Sequence, residues 1–199
     1  MATTAHVHEQ EVKDLVEDVF GLQCDVALGQ PHRHEFDKNA GDPRGEIEID
    51  FLVPFRNVCV VGEHTDAKSR KNVKQHLARF AEKIAFLQSL SEESRFAPFH
   101  LPSKKRKAYK SINQITGCLI YSNDSVGKPI KSTFPHIVAL SQQEWELVQH
   151  YGECLGADGK YHFLDAIGIA IDEIAGHSSS GKSEARIIPQ SEYLHLEKR

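Results

Sequence analysis

The sharpest pattern in the chain is "EIEIDFLV", in which Ile47, Ile49, Phe51 and Val53 alternate with Glu46, Glu48, Asp50 and Leu52. A period of two predicts a strand. "PFRN" turns the chain, and "VCVVGEHT" opens on an unbroken apolar run, which suits a central strand buried on both faces. The period then changes. Val73, Leu77, Phe80, Ile84, Leu87 and Leu90 recur at steps of three and four, which predicts an amphipathic helix. Upstream, "HEQEVKDLVEDVFGLQ" gathers Val12, Leu15, Val16, Val19 and Phe20 on one helical stripe and ends at Gly21, a C-cap. "CDVALGQ" predicts a short strand, and "QPHRHEFDKNAGDPRG", rich in turn formers, predicts a loop. "INQITGCLIYSN" and "HIVAL" predict two more strands. "SQQEWELVQHYGECLG" begins with Ser141 and carries Glu144 three residues on, a capping box at the head of another helix. "KYHFLDAIGIAIDEIAG" is a last apolar segment, helical at its start.

Helix, strand, hairpin of strands, helix, strand, helix is the order of an α/β fold with a mixed central sheet flanked by helices. Residues 1–175 read as one domain and 176–199 as a polar, Gly/Ser-rich tail or linker to a further domain in a longer chain. At 40% hydrophobic and 26% charged, the 199 residues suit a soluble globular protein. No apolar run reaches the roughly 20 residues needed to cross a bilayer. The first residues lack the basic-then-apolar order of a secretory signal. Cys24, Cys59, Cys118 and Cys154 are far apart and form no C-x-x-C pair, which suits a reducing cytoplasm.

A net charge of −4 excludes a globally basic nucleic-acid binder, yet the charge is uneven. "KKRKAYK", Lys104 to Lys110, is a basic run before a strand. It is either a solvated loop or a phosphate track with Tyr109 for stacking. His6 with His8 and His32 with His34 are i, i+2 pairs, but no third and fourth metal ligand accompanies them. Trp145 and Tyr151, on the helix after Ser141, fit core packing. "GHSSSGKS", Gly176 to Ser183, matches the phosphate-loop pattern that would bind a nucleotide through Lys182 and Ser183. Its surroundings do not: Asp172 and Glu173 precede the glycine, and Pro189 breaks the helix that should follow.

The acids of the hairpin offer more. Asp50 lies toward one end of the first strand, Glu63 at the end of the second, and the short turn lets their carboxylates converge. Glu48 shares Asp50's face two residues earlier. Carboxylates at the end of a core strand are costly without a cation or hydrogen bonds. A hard divalent ion takes one or two of them and fills its shell with water and phosphate oxygens. The alternative is an open strand face whose acids simply meet water.

With its helix, "EIEIDFLV", "VCVVGEHT" and the helix "NVKQHLARFAEKIAFLQ", the chain resembles the PD-(D/E)xK nuclease superfamily over roughly residues 9–122. This is the restriction-endonuclease-like fold that includes the Mrr-type restriction enzymes. The resemblance implies an α/β/α sandwich and a Mg2+- or Mn2+-dependent endonuclease acting on DNA in a restriction or defence system. It also implies a homodimer that cuts both strands. Carried over by position, Asp50 and Glu63 are the two metal-binding acids, Glu48 an additional ligand, and Gln75 the glutamine of the following helix. The family's lysine falls at Thr65, which has no positive charge. Three resolutions stay open. Asp66 and Lys68 ("DAK") supply the acid and lysine three residues later; Lys71 or Lys74 reaches in from the helix; or the domain is an inactive nucleic-acid-binding module.

Overall fold

The computed structural model describes residues 4–26, 33–35, 46–93, 96, 98, 101–122 and 130–155. The last apolar segment, the tail from residue 176 with its phosphate-loop pattern, and His32 lie outside the described residues. So do the side chains of His6, His8, His34 and Glu48.

Helix α1, Thr4–Asp14, runs into one π-helical turn, Leu15–Val19, and ends where Gly21 adopts a left-handed φ of 62°. Leu22 N–H closes the end on Val16 O at 3.1 Å. Strand β1 is Asp25–Val26, β2 Arg33–Glu35, β3 Glu46–Glu48, β4 Phe51–Phe55 and β5 Val58–Thr65. Helix α2 spans Arg70–Glu92, with Ser69 as its N-cap accepting from Asn72 N–H at 3.3 Å. The short helix α3, Ser103–Arg106, continues as a 3-10 turn, Lys107–Tyr109. Strands β6, Gln114–Tyr121, and β7, Ile137–Ser141, precede helix α4, Gln142–Leu155.

Five strands form one mixed sheet in the order β1-β4-β5-β6-β7. β4 is antiparallel to β1 and β5, whereas β5, β6 and β7 are parallel, with α2 as the β5–β6 crossover. Helices cover both faces. On one, Val73, Leu77, Phe80, Ile84 and Leu87 of α2 pack on Leu52, Cys59, Val61, Ile115 and Leu119. On the other, Val12, Val16, Phe20, Trp145 and Val148 pack on Phe51, Val53, Val60, Cys118 and Ile120. All six apolar positions predicted on α2 are buried, each contributing about 1.5–3 kcal/mol. The capping box forms as predicted, with Ser141 N–H donating to Glu144 Oε2 at 2.5 Å and Glu144 N–H to Ser141 Oγ at 3.2 Å. Among the described residues, no helix is long and apolar enough to cross a membrane.

Three expectations need correction. "EIEIDFLV" is not one strand: β3 ends at Glu48 and β4 begins at Phe51. Asp50 N–H donates to Gly62 O at 3.0 Å while Phe51 stands opposite the same Gly62, so two residues oppose one, as in a bulge. The extra residue flips the faces. Ile47, Ile49 and Leu52 join the α2 side, and Phe51 and Val53 the opposite side. The region predicted as loop contains β2, which pairs with β3 away from the main sheet. Three residues among turn formers carry too little periodicity to reveal such a strand. The turn is also tighter than "PFRN": Pro54 and Phe55 belong to β4, and Arg56 with φ 56° begins the reversal. β1 pairs only with Phe51 and Leu52, so Pro54 leaves no ladder bond unmade on that side.

Gly62 lies under the Phe51 ring, and a Cβ there would come within 1.8 Å of Phe51 Cζ. Gly62→Ala is therefore expected to lower stability by about 2–3 kcal/mol in urea denaturation. Phe51→Leu in the same chain should restore part of that loss, as a double-mutant cycle would read.

Glu144 is buried, and burial raises its carboxyl above the ordinary value of 4.5, opposed by its bonds to Ser141. A carboxyl raised on folding favours the folded state while protonated. That contribution is complete below the unfolded value and is lost as pH rises through the folded one. Glu144→Gln, neutral throughout, is expected to gain stability relative to wild type as pH rises above the ordinary carboxyl value of 4.5, read as diverging urea midpoints.

Candidate functional site

The bulge fixes where Asp50 points. With its N–H on Gly62 O, Asp50 accepts the backbone N–H of His64 on Oδ2 at 2.5 Å. Phe51–Gly62 is the outermost pair of the β4–β5 ladder, so Asp50 and Glu63 are the next residues outward on the two strands. This places both acids at the carboxyl end of β5, where open α/β sheets tend to bind ligands.

Glu63 alternates with Val61 and Thr65 and so faces α2. Its partner there is Lys83, whose ammonium donates to Oε1. The Glu63 side chain is 12% exposed and that of Lys83 31%, so the pair is largely withdrawn from water and screened less than a surface pair. The reach follows from helix geometry. Phe80 and Ile84 rest on Gly117, which stands opposite Val61 in the parallel ladder. Helical side chains lean toward the N-terminus of their helix, and α2 runs back along the sheet. A lysine flanking Ile84 therefore leans toward the carboxyl end of β5, where Glu63 follows Val61 by two positions.

The other candidates lie elsewhere. Thr65 is buried, and its Oγ1 accepts Ala67 N–H at 3.3 Å, forming the turn out of β5. The β5–β6 ladder ends at Thr65–Tyr121, so Asp66 and Lys68 lie beyond the sheet and are exposed. Lys71, Lys74 and Gln75 are exposed along α2. The cation at Glu63 is Lys83, which sequence reasoning missed. Its signal is weak: a single lysine at the margin of an apolar stripe, informative only once the helix direction over β5 is known. His64 Nδ1 lies 3.8 Å from Asp66 Oδ1.

The basic run divides in two. Tyr109 is buried, and its hydroxyl donates to Asp25 Oδ2 at 2.7 Å, while Lys105 Nζ donates to Oδ1 at 2.6 Å. Gln23 Nε2 also donates to Oδ2. Tyr109 is therefore part of the core and not a stacking platform, which corrects that part of the expectation. Burial is also the main cause that holds its phenol well above the ordinary value. Lys104, Lys107 and Lys110 face solvent. Trp145 packs on Phe51 with ring centroids 6.4 Å apart, as core packing predicted.

Burial pushes the Cys118 thiol up to about 12, and those of Cys24 and Cys59 also rise. These three remain thiols, unsuited to nucleophilic attack. Among the described residues, no group of three or more His, Cys, Asp or Glu side chains gathers as a metal cage. Two carboxylates, such as Asp50 and Glu63, are the number that Mg2+ takes from protein, and they lack the nitrogen and sulfur ligands typical of a zinc site.

Removing Lys83 leaves the Glu63 carboxylate in a largely desolvated position. A double-mutant cycle of Lys83→Met with Glu63→Gln is expected to give a coupling of about 1–2 kcal/mol in chemical denaturation. A coupling near zero would mean the pair is no stronger than an exposed one. Comparison of the chain with family models, curated proteins and solved structures finds no match.

Proposed function

We propose that this protein is a metal-dependent endonuclease that hydrolyses DNA phosphodiesters, with Asp50, Glu63 and Lys83 as its acid, acid and lysine. The observation that carries this reading is the pairing of the strand-end carboxylate Glu63 with a lysine delivered from α2, with Asp50 at the same end of the neighbouring strand. That lysine supplies the charge which Thr65 lacks. The element order supports the PD-(D/E)xK assignment: β4 and β5 as an antiparallel hairpin, then α2, then β6 parallel to β5.

In this reading Asp50 and Glu63 hold Mg2+ or Mn2+, which when bound polarises the scissile phosphate and activates a water. The bond from His64 N–H fixes the orientation of the Asp50 carboxylate. Lys83 pairs with Glu63 and places an ammonium where negative charge grows on the phosphate. A second reading, a binding module without catalysis, is favoured by the same ion pair, because Lys83 already neutralises Glu63.

Incubation of plasmid and single-stranded DNA with the full chain in Mn2+ separates the two. Cleavage that disappears with EDTA and in Asp50→Ala, and falls about 10²–10³-fold in Lys83→Ala, is the expected result. DNA binding without cleavage supports the module. Neither binding nor cleavage sinks both.

A further inference from the structure

We propose that the N-terminal half of α2 is a phosphate track for duplex DNA. The inference rests on the nuclease reading only for the identity of the polymer. Between Asp66 and Glu82 the sequence has Lys68, Arg70, Lys71, Lys74 and Arg79 and no carboxylate, in a chain whose net charge is −4. All five cations are exposed. Arg70 and Lys71 occupy the first turn of a long helix, with no acidic residue there. Cations in a first turn oppose the helix dipole, so helix stability does not account for their placement there. Arg70, Lys71 and Lys74 stand at consecutive and near i+3, i+4 positions, so their charges lie close together on the helix surface.

Position strengthens the assignment. α2 starts a few residues beyond Thr65, so these cations sit at the same end of the sheet as Asp50 and Glu63. A polymer lying along them would pass beside the acids. The other basic stretch leads away: Ser111 donates to Arg56 O at the tip of the β4–β5 hairpin, at the opposite end of these strands. One of its lysines, Lys105, is already paired with Asp25. The α2 cations are interspersed with Asn72, Gln75, His76 and Ala78, and the tyrosine of the other run is buried. Charge without stacking rings suits a duplex backbone better than a single strand.

The test is binding of a fluorescein-labelled DNA duplex to the full chain in EDTA, with the affinity followed between about 50 and 200 mM salt. The variant Arg70→Gln/Lys71→Gln/Lys74→Gln removes three charges with little change in helix propensity. Its log–log salt slope should fall by about 3 units, and its affinity at the lower salt by more than about tenfold. Lys104→Gln/Lys107→Gln/Lys110→Gln, with the same change in net charge, should alter both much less. If the first triple variant fails to fold, Lys71→Gln and Lys74→Gln singly should each lower the slope by about 1. Equal losses in the two triple variants, or an unchanged slope in the first, would overturn the assignment. So would no duplex binding by the wild type, tighter binding to single strands, or tighter binding to phosphatidylserine vesicles. Because EDTA prevents metal-dependent cleavage, a protein that binds through α2 but never cuts removes only the nuclease reading. One that cuts but ignores the α2 charges removes only the track.

Discussion

One register break organises this molecule. A sheet covered by helices on both sides leaves no strand face open to water, so a carboxylate can enter β4 only where the ladder stops. The break at Asp50 is that place. Two residues oppose Gly62, the apolar set changes faces, and the Phe51 ring lies over Gly62, which has no Cβ. Without the extra residue, Phe51 would fall on the α2 side with Ile47 and Ile49, and Leu52 on the other. Both hydrophobic clusters, and the position of the acid, follow from this single offset.

The buried carboxylates fall into two kinds. Asp25 has a fully buried side chain and accepts from Tyr109, Lys105 and Gln23. Its donors surround it, the charge is compensated internally, and its effect is to fasten the segment carrying α3 to β1. Asp50 and Glu63 differ. Each accepts from the chain a bond that sets its orientation, a backbone N–H or an ammonium, and each lies toward the carboxyl end of β5. A carboxylate oxygen accepts more than one partner, so acids held this way keep capacity for a cation while their directions are set. That contrast, more than the presence of acids, separates a structural carboxylate from a candidate ligand.

What could be read in the sequence was what local periodicity controls. The stripe on α2 was legible because six apolar residues at helical spacing need no distant partner, and the Ser141–Glu144 box because it lies within one turn. β5 and β6 were legible as apolar runs. The break at Asp50 was not, because "EIEIDFLV" alternates from Glu46 through Phe51 and then runs on apolar; only the pairing with Gly62 shows that two residues share one partner. β2 was hidden for the same reason, its partner β3 lying beyond a stretch of turn formers. Asp50 and Glu63 could be named as a pair from the hairpin alone. Lys83 could not, since its contact with Glu63 depends on how α2 crosses β5, twenty residues after the acid.

That crossing gives α2 two roles of different depth. Its apolar stripe is anchored on Gly117, where the absence of a side chain lets Phe80 and Ile84 approach the sheet. Close approach fixes the rotation of the helix about its axis, because any turn would lift six buried side chains off the sheet. With the rotation fixed, Lys83 is held on the β5 side, against Glu63, and Arg70, Lys71 and Lys74 are held toward solvent. One helix thus supplies a half-buried ammonium to the acid and a hydrated cationic surface next to it. The first kind of charge is strong and short-ranged; the second is weak per residue, long-ranged and sensitive to salt. A chain that is acidic overall can attract a polyanion only through such a local surface, because net charge governs the field at a distance and the nearest cations govern it at contact. The packing of Phe80 and Ile84 on Gly117 therefore sets the electrostatics of this end of the sheet as much as it sets the core.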